Sequence, residues 1–310
     1  MSKATVLGPD EGEKYWIAGD HITFKVGPQQ TDKKYAVALT WTAPGSGPPP
    51  HIHANEDEMF YIIEGTMMFM DNQETFIGGP GTAVYLKKGI PHTFKNVGDK
   101  PAKFIVTTAP TGFEAFVAEC GESITQIPCD KQVNDAAIGK LMANCGKYGV
   151  TILPEHKVIG EKAHVPKQRN LWVLGHLITI KLGAEDTAGN FSVVEIMTRP
   201  GLFVPAHKHL NMEEYFYVTE GEFKFTIGDK TLTATPGTFI HVPRNVMHGF
   251  ENKTSAPAKM VDFHTPGGFE KFFEECGSPC HDINETPPEM PASVEQLAMM
   301  FRKHGMNLKE

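Results

Sequence analysis

Six of the fourteen histidines stand in two sets with a carboxylate beside each. The first set is His51-Ile52-His53, then Glu58, then His92; the second is His207-Lys208-His209, Glu214 and His248. Residues two apart on a strand point to the same face, so each His-x-His pair aims both imidazoles one way. A neighbouring strand can bring the glutamate alongside, and a third strand the last histidine. Burying that much polarity in an apolar interior is costly unless something satisfies it. A divalent ion does so: neutral imidazole nitrogens bind at ~2.0–2.1 Å and a carboxylate oxygen at ~2.0–2.2 Å. Three neutral histidines and one glutamate leave a charge of about +1 on a bound divalent ion, and an octahedral ion keeps positions open for substrate, as catalytic sites do. The metal ligands expected are therefore His51, His53, Glu58 and His92 in one half and His207, His209, Glu214 and His248 in the other.

The two sets are copies. Displaced by 156 positions, the chain matches itself: Trp16 falls on Trp172, Gly19 on Gly175, Lys25 on Lys181, Gly65 on Gly221, Gly81 on Gly237, Asn96 on Asn252 and Gly112-Phe113-Glu114 on Gly268-Phe269-Glu270. Such self-similarity is the mark of a repeated structural unit. It predicts two domains, 1–150 and 151–310, with the joint near residues 148–154.

Each copy reads as short strands with turn signals between them. Tyr35–Thr40, Met59–Ile63, Ala83–Leu86 and Lys103–Thr107 are apolar-rich runs, as are Phe191–Ile196, Tyr215–Thr219, Lys224–Ile227 and Phe239–Val242. Asp71-Asn72, Gly78-Gly79-Pro80-Gly81 and Gly228-Asp229 punctuate them, the pattern of a β-sandwich or small barrel. Asn55-Glu56-Asp57 is expected as the turn that delivers Glu58. Helical spacing follows the strands over Gly112–Cys120 and Asn134–Cys145, and again over Gly268–Cys276 and Ser293–Lys303. The fold class expected is all-β, two antiparallel barrels in one chain, each followed by short helical segments.

Composition removes several function classes. The net charge is −8, from 37 acidic and 29 basic residues, which disfavours nucleic-acid binding. No apolar run reaches the length of a membrane span. The opening MSKATVLGPDEGEKYW lacks the apolar stretch of a secretory signal. Cys120, Cys129, Cys145, Cys276 and Cys280 are odd in number and contain no Cys-x-x-Cys, so reduced thiols and a cytoplasmic setting are expected. The remaining histidines, including His21, His156, His164, His176, His281 and His304, have no histidine at the repeat-related position and read as structural. So does His264, whose counterpart is Thr108; for His241, opposite Tyr85, a substrate contact is left open.

The spacing of these residues resembles the two signature stretches of the cupin superfamily. Gly45, His51-x-His53, Glu58 and Gly65 match the first, as do Gly201, His207-x-His209, Glu214 and Gly221. Gly81, Gly89, His92 and Asn96 match the second except that Lys87 replaces proline; Gly237, Pro243, His248 and Asn252 match it except that Asn245 replaces glycine. The second departure is mild, because asparagine tolerates a positive φ. The resemblance implies a bicupin, two jelly-roll barrels with one divalent transition metal in each, whether Fe, Mn, Ni, Co, Cu or Zn. Within bicupins, Gly47-Pro48-Pro49-Pro50 ahead of His51, Glu58-Met59-Phe60-Tyr61, and Pro266-Gly267-Gly268-Phe269-Glu270 resemble the flavonol (quercetin) 2,3-dioxygenases. That likeness implies cleavage of an aromatic enol by O₂ with release of carbon monoxide, with the ligand Glu58 or Glu214 accepting the enol proton as catalytic base. Phe60, Ile62 and Phe94, with Phe216 and Phe250 repeating two of them, would line an apolar cavity.

Rival readings remain. An oxalate decarboxylase or oxidase, or a sugar-phosphate isomerase, would want arginine for its anion, and the only arginines are Arg169, Arg199, Arg244 and Arg302, none near the first His-x-His. A non-enzymatic ligand-binding bicupin is the alternative from another class. The partners expected are a small aromatic or enol substrate and O₂, with neither nucleic acid nor membrane; a homodimer stays open as the assembly. His51→Ala and Glu58→Gln are each expected to lower bound metal by about one ion per chain, measured by metal quantification on purified protein.

Overall fold

A computed structural model describes residues 3–72, 74–126, 133–154, 168–288 and 294–309. Cys129, His156 and His164 lie outside these. The chain divides into two compact units, Glu11–Val165 and Met1–Asp10 together with Pro166–Glu310. Both are built from antiparallel strands in two sheets, with few helices. No described helix is long and apolar enough to cross a membrane.

In the first unit, one sheet runs in the order Glu122–Ser123, Glu13–Ile17, Asp20–Val26, Ala36–Thr42, Ala102–Ala109, Asp57–Glu64, Ala83–Leu86. The other runs Val150–Ile152, His51–His53, His92–Asn96, Met67–Asp71, Glu74–Gly78. Alternation decides which side chains meet between them. Ala38, Phe60, Ile62, Phe104 and Val106, all at even positions of three adjacent strands, join Phe69, Phe116 and Val117 in one buried cluster. The second unit repeats the arrangement around Ile178, Val194, Phe216, Phe225 and Phe250.

Most of the strands end a residue or two beyond the apolar runs that predict them, because hydrogen-bonded pairing continues past the last apolar side chain, whereas Ala83–Leu86 and Phe239–Val242 coincide with theirs. Asp57 is the main difference. It begins the strand Asp57–Glu64 rather than ending the turn, and its Oδ1 accepts the Lys88 N–H at 2.8 Å. The α-helices that follow the strands are Phe113–Cys120 and Asp135–Asn144, then Glu270–Cys276 and Val294–Lys303. Asn134 is the cap of the second, accepting the Ala137 N–H at 2.9 Å, which explains why the helix starts one residue later than its periodicity.

Two repeated details fix the turns. Gly65 and Gly221 have φ of 88° and 70°, and a Cβ there would fall within 2.7 and 2.8 Å of Ala102 and Ala258. Gly89 and its counterpart Asn245 both take positive φ, 78° and 64°, so the departure from the family pattern at Asn245 keeps the turn.

The first ten residues group with the second unit rather than with the residues that follow them. Thr5–Leu7 pairs antiparallel with Phe239–Val242, placing Thr5 opposite His241 and Leu7 opposite Phe239. The repeat-related strand Ala83–Leu86 ends its sheet with no such neighbour among the described residues. Residues 150–152 pair with His51–His53. The added strand covers an edge that would otherwise expose unpaired backbone groups. Deleting residues 1–10 is expected to lower the stability of the second unit by roughly 2–4 kcal/mol, by loss of about three ladder hydrogen bonds. Domain-resolved hydrogen exchange should show that loss, with amides of the first unit unchanged.

Candidate metal centres

The three histidines of each set come from one sheet and the glutamate from the other. His51 and His53 occupy alternate positions of their strand and both are buried. His92 sits directly opposite His51 in the ladder, and His248 opposite His207. Glu58 and Glu214 reach across from Asp57–Glu64 and Glu213–Glu220. Each predicted set is brought together: the donor atoms of His51, His53, Glu58 and His92 lie within 4.8 Å of one another, and so do those of His207, His209, Glu214 and His248.

Backbone carbonyls choose the tautomers. Nδ1 of His51 lies 2.9 Å from Pro49 O, that of His92 2.8 Å from Ile90 O, that of His207 2.9 Å from Pro205 O and that of His248 3.0 Å from Val246 O. A carbonyl only accepts, so Nδ1 carries the proton and each Nε2 presents a lone pair to the centre. There it meets another acceptor: His92 Nε2 is 3.2 Å from Glu58 Oε2, and His248 Nε2 is 2.6 Å from Glu214 Oε2. Two lone pairs cannot face each other at that range without a proton or a cation between them. His209 Nε2, His248 Nε2 and Glu214 Oε2 are buried without a hydrogen-bond partner of good geometry. A divalent ion satisfies all of these atoms, and the donor set fits one.

The ionisation of the ligands suits that role. Burial, reinforced by the neighbouring His92, pushes His51 down to about 4; burial and His248 push His207 down to about 3. Both imidazoles are thus neutral ligands at physiological pH. Burial alone would raise Glu58, but positive charge placed on His53 and His92 outweighs it and holds the carboxyl down at about 2, a role that a bound cation would equally serve. Glu214 is lowered well below the usual carboxylate range in the same way, His209 and His248 outweighing burial.

The two centres differ in their surroundings, and the sequence reading missed the residues responsible. Glu56, 3% exposed, lies 3.6 Å from His53 Nδ1, within ion-pair range but too far for a hydrogen bond; its counterpart is Met212, so His209 Nδ1 has no carboxylate at that place. Behind Glu214 stand Asp262 and His264. His264 Nε2 is 3.3 Å from Glu214 Oε1 and 3.2 Å from Asp262 Oδ2. Burial opposes the charge on His264, but Asp262 and Glu214 outweigh it and raise the imidazole to about 10. The structural role expected for His264 is therefore corrected: it touches a ligand. The signal was a break in the repeat, since Asp262 and His264 correspond to Val106 and Thr108. His241 lies 3.2 Å from Glu213 Oε2 and does not line the cavity.

Each centre opens on a cavity. The first, about 220 Å³, is lined by His51, His53 and Glu58 at one end and by Phe60, Phe94, Phe104 and Val106 along its walls. Ile62 packs in the core instead. The second is about 60 Å³, lined by His207, Glu214, Phe216 and Phe250. Two repeat-related pairs fit the shrinkage: Phe301 lines the second cavity where Cys145 lines the first, and Phe273 reaches the second where its smaller counterpart Val117 does not line the first. No lysine or arginine lines either one.

With this geometry in place, the comparisons with known proteins bear on the class. The cupin domain model matches residues 40–108 and again 194–264, so the chain is a bicupin, carrying the cupin domain twice. It is 22% identical to the quercetin 2,3-dioxygenase of Bacillus subtilis over 291 residues, 88% of this chain and 86% of that protein. Over 78 residues, a quarter of this chain, it is 33% identical to protein SchB of Streptomyces halstedii, of which it covers 54%. Among solved structures it resembles the oxalate decarboxylase of Bacillus subtilis at pH 4.6, with a TM-score of 0.60 and 17% identity over 86% of this chain and 77% of that one. The formate complex of the Lactobacillus farciminis oxalate decarboxylase gives 0.61 and 16%, over 85% and 86%. At these identities the structural likeness shows the fold.

His176, 3% exposed, lines the second cavity with Nδ1 3.0 Å from the Thr198 hydroxyl, and burial pushes it down to about 4. The unfolded chain takes up this proton near 6.5 and the folded chain only near 4, so through this group folding weakens as pH falls between those values. His176→Gln removes the penalty. Its stability relative to the parent is expected to rise as pH drops from 6.5 to 4, by up to roughly 3 kcal/mol, and to be flat above pH 7 in paired denaturant titrations.

Proposed function

We propose that the chain is a metal-dependent dioxygenase that opens a flavonol or related aromatic enol with O₂, and that turnover takes place in the first barrel. The observation that carries this reading is the 220 Å³ cavity, lined by three of the four metal ligands, His51, His53 and Glu58, and by Phe60, Phe94 and Phe104, with no lysine or arginine. The similarity to a quercetin 2,3-dioxygenase over most of both chains supports the same reaction class. A bound divalent ion would supply Lewis acidity to an enol oxygen and a meeting point for O₂.

The protein's own contribution is position, dryness and a proton acceptor. Phe60, Phe94 and Phe104 hold a flat ring system and exclude water, which strengthens the electrostatics at the reacting end. Glu58 is ionised and lies at the same end, so its carboxylate oxygen can take the enol proton as the catalytic base. Glu214 has the same place in the second barrel but only a 60 Å³ cavity in front of it, which supports a binding or structural role for that ion. The four described cysteines are free and buried, in keeping with the reduced, cytoplasmic setting of this reading.

Oxalate chemistry is the other reading carried by the fold, and the walls argue against it. A small dianion seeks a guanidinium or ammonium partner, and neither cavity offers one. An oxygen electrode with a panel of flavonols, together with carbon monoxide detection, tests the choice. Flavonol-dependent O₂ uptake is expected, falling at least about 100-fold in Glu58→Gln and less than about tenfold in Glu214→Gln. Oxalate consumption with no flavonol-dependent uptake would sink the proposal.

A further inference from the structure

The first cavity has a second polar end, which the metal chemistry does not use. Along the strand Ala36–Thr42 the ladder sets Ala36 level with Thr108, and Thr108 level with Glu58. Thr40 is four residues further along the same face, and Thr42 six, with Asp20 directly opposite Thr42. At about 3.3 Å per residue, Thr40 and Asp20 therefore lie on the order of 13 and 20 Å along the sheet from the level of Glu58. Both line the cavity, and the wall between them and the metal ligands is apolar.

Thr40 is 3% exposed, and its hydroxyl is buried with no hydrogen-bond partner. A buried hydroxyl left unpaired is costly, and a polar group on a ligand would remove that cost. Asp20 Oδ1 accepts the Thr42 hydroxyl at 2.7 Å. Burial pushes the Asp20 carboxyl up to about 7, so near neutrality it is available both as donor and as acceptor. The second barrel lacks this combination: Ile196 replaces Thr40 and His176 replaces Asp20, while Thr198 keeps the place of Thr42. The feature thus belongs to the barrel with room for a ligand.

We propose that Asp20 and Thr40 form a hydroxyl-recognition subsite at the far end of the first cavity. Its ligand is an elongated, flat aromatic molecule that carries a neutral phenolic hydroxyl at the end remote from its metal-binding group. The subsite rests on the dioxygenase reading only for the identity of that metal-binding group; the hydroxyl end stands on Asp20 and Thr40 alone.

Equilibrium binding to the metal-loaded protein in the absence of O₂ tests it, with two probe pairs followed by fluorescence quenching. One pair is 3-hydroxyflavone and its 4′-hydroxylated analogue. The other is biphenyl and 4-phenylphenol, which have no metal-binding enol. The parent is expected to favour the hydroxylated member by about tenfold, one well-made hydrogen bond. Thr40→Val and Asp20→Ala, which remove the hydrogen-bonding groups, should each cut that preference to below about threefold and leave the dissociation constant of the other member unchanged. Thr40→Val should melt no lower than the parent, since it removes an unpaired hydroxyl, and whichever variant keeps its melting temperature carries the test. Equal affinity for both members in the parent, a preference unchanged in the folded variants, or no binding of either pair would overturn the subsite. Discrimination of the biphenyl pair with no binding of the flavones would support the subsite while removing the flavonol reading.

Discussion

The confrontation of lone pairs inside each barrel is the constraint on which the rest of the structure depends. Backbone carbonyls at Pro49 and Ile90 take the Nδ1 protons of His51 and His92, leaving Nε2 to face a carboxylate that is itself an acceptor. In a dry interior this arrangement has no internal solution among neutral groups. It becomes favourable when positive charge enters. The strands that carry these ligands belong to different sheets, so the same charge ties the two sheets together at the point where the cavity begins.

The two copies have resolved this shared constraint differently. In the first, Glu56 stands beside His53 and the cavity beyond the ligands is open and aromatic. In the second, Asp262 and His264 are packed behind Glu214, and Phe273 and Phe301 occupy the space in front. Duplication supplied two equal centres, and a few substitutions around them separated an open one from a crowded one. The ligands themselves are the part that did not diverge, which follows if both positions must still balance buried charge.

Much of this was legible in the residues. His-x-His with a spaced glutamate and a third histidine, written twice at one offset, carries its own geometry, because strand alternation alone sends both imidazoles to one side. The paired offsets also give the two barrels and the helices after them. What stayed hidden depends on which residues share a level across strands. Asp262 is visible as a polar residue in an apolar run, but only the ladder sets the strand Ala258–Thr265 against Glu214. Glu56 reads as a turn residue until its side chain is seen under His53. The size difference between the cavities rests on Val117 and Cys145 against their phenylalanine counterparts, none of which stands near a metal motif in the sequence. Asp57 and Asn134 show a simpler limit: strand and helix ends are set by hydrogen bonds from side chains, not by hydrophobic pattern.

The strand Thr5–Leu7 brings a consequence for how the molecule is made. A ribosome makes these residues long before their partner Phe239–Val242. The barrel encoded in the middle can close while synthesis continues, whereas the leading strand must wait, unpaired, for a neighbour that has yet to emerge. Closure of the second barrel is thereby tied to two stretches far apart in the chain, and its completion reports that synthesis has passed the later of them.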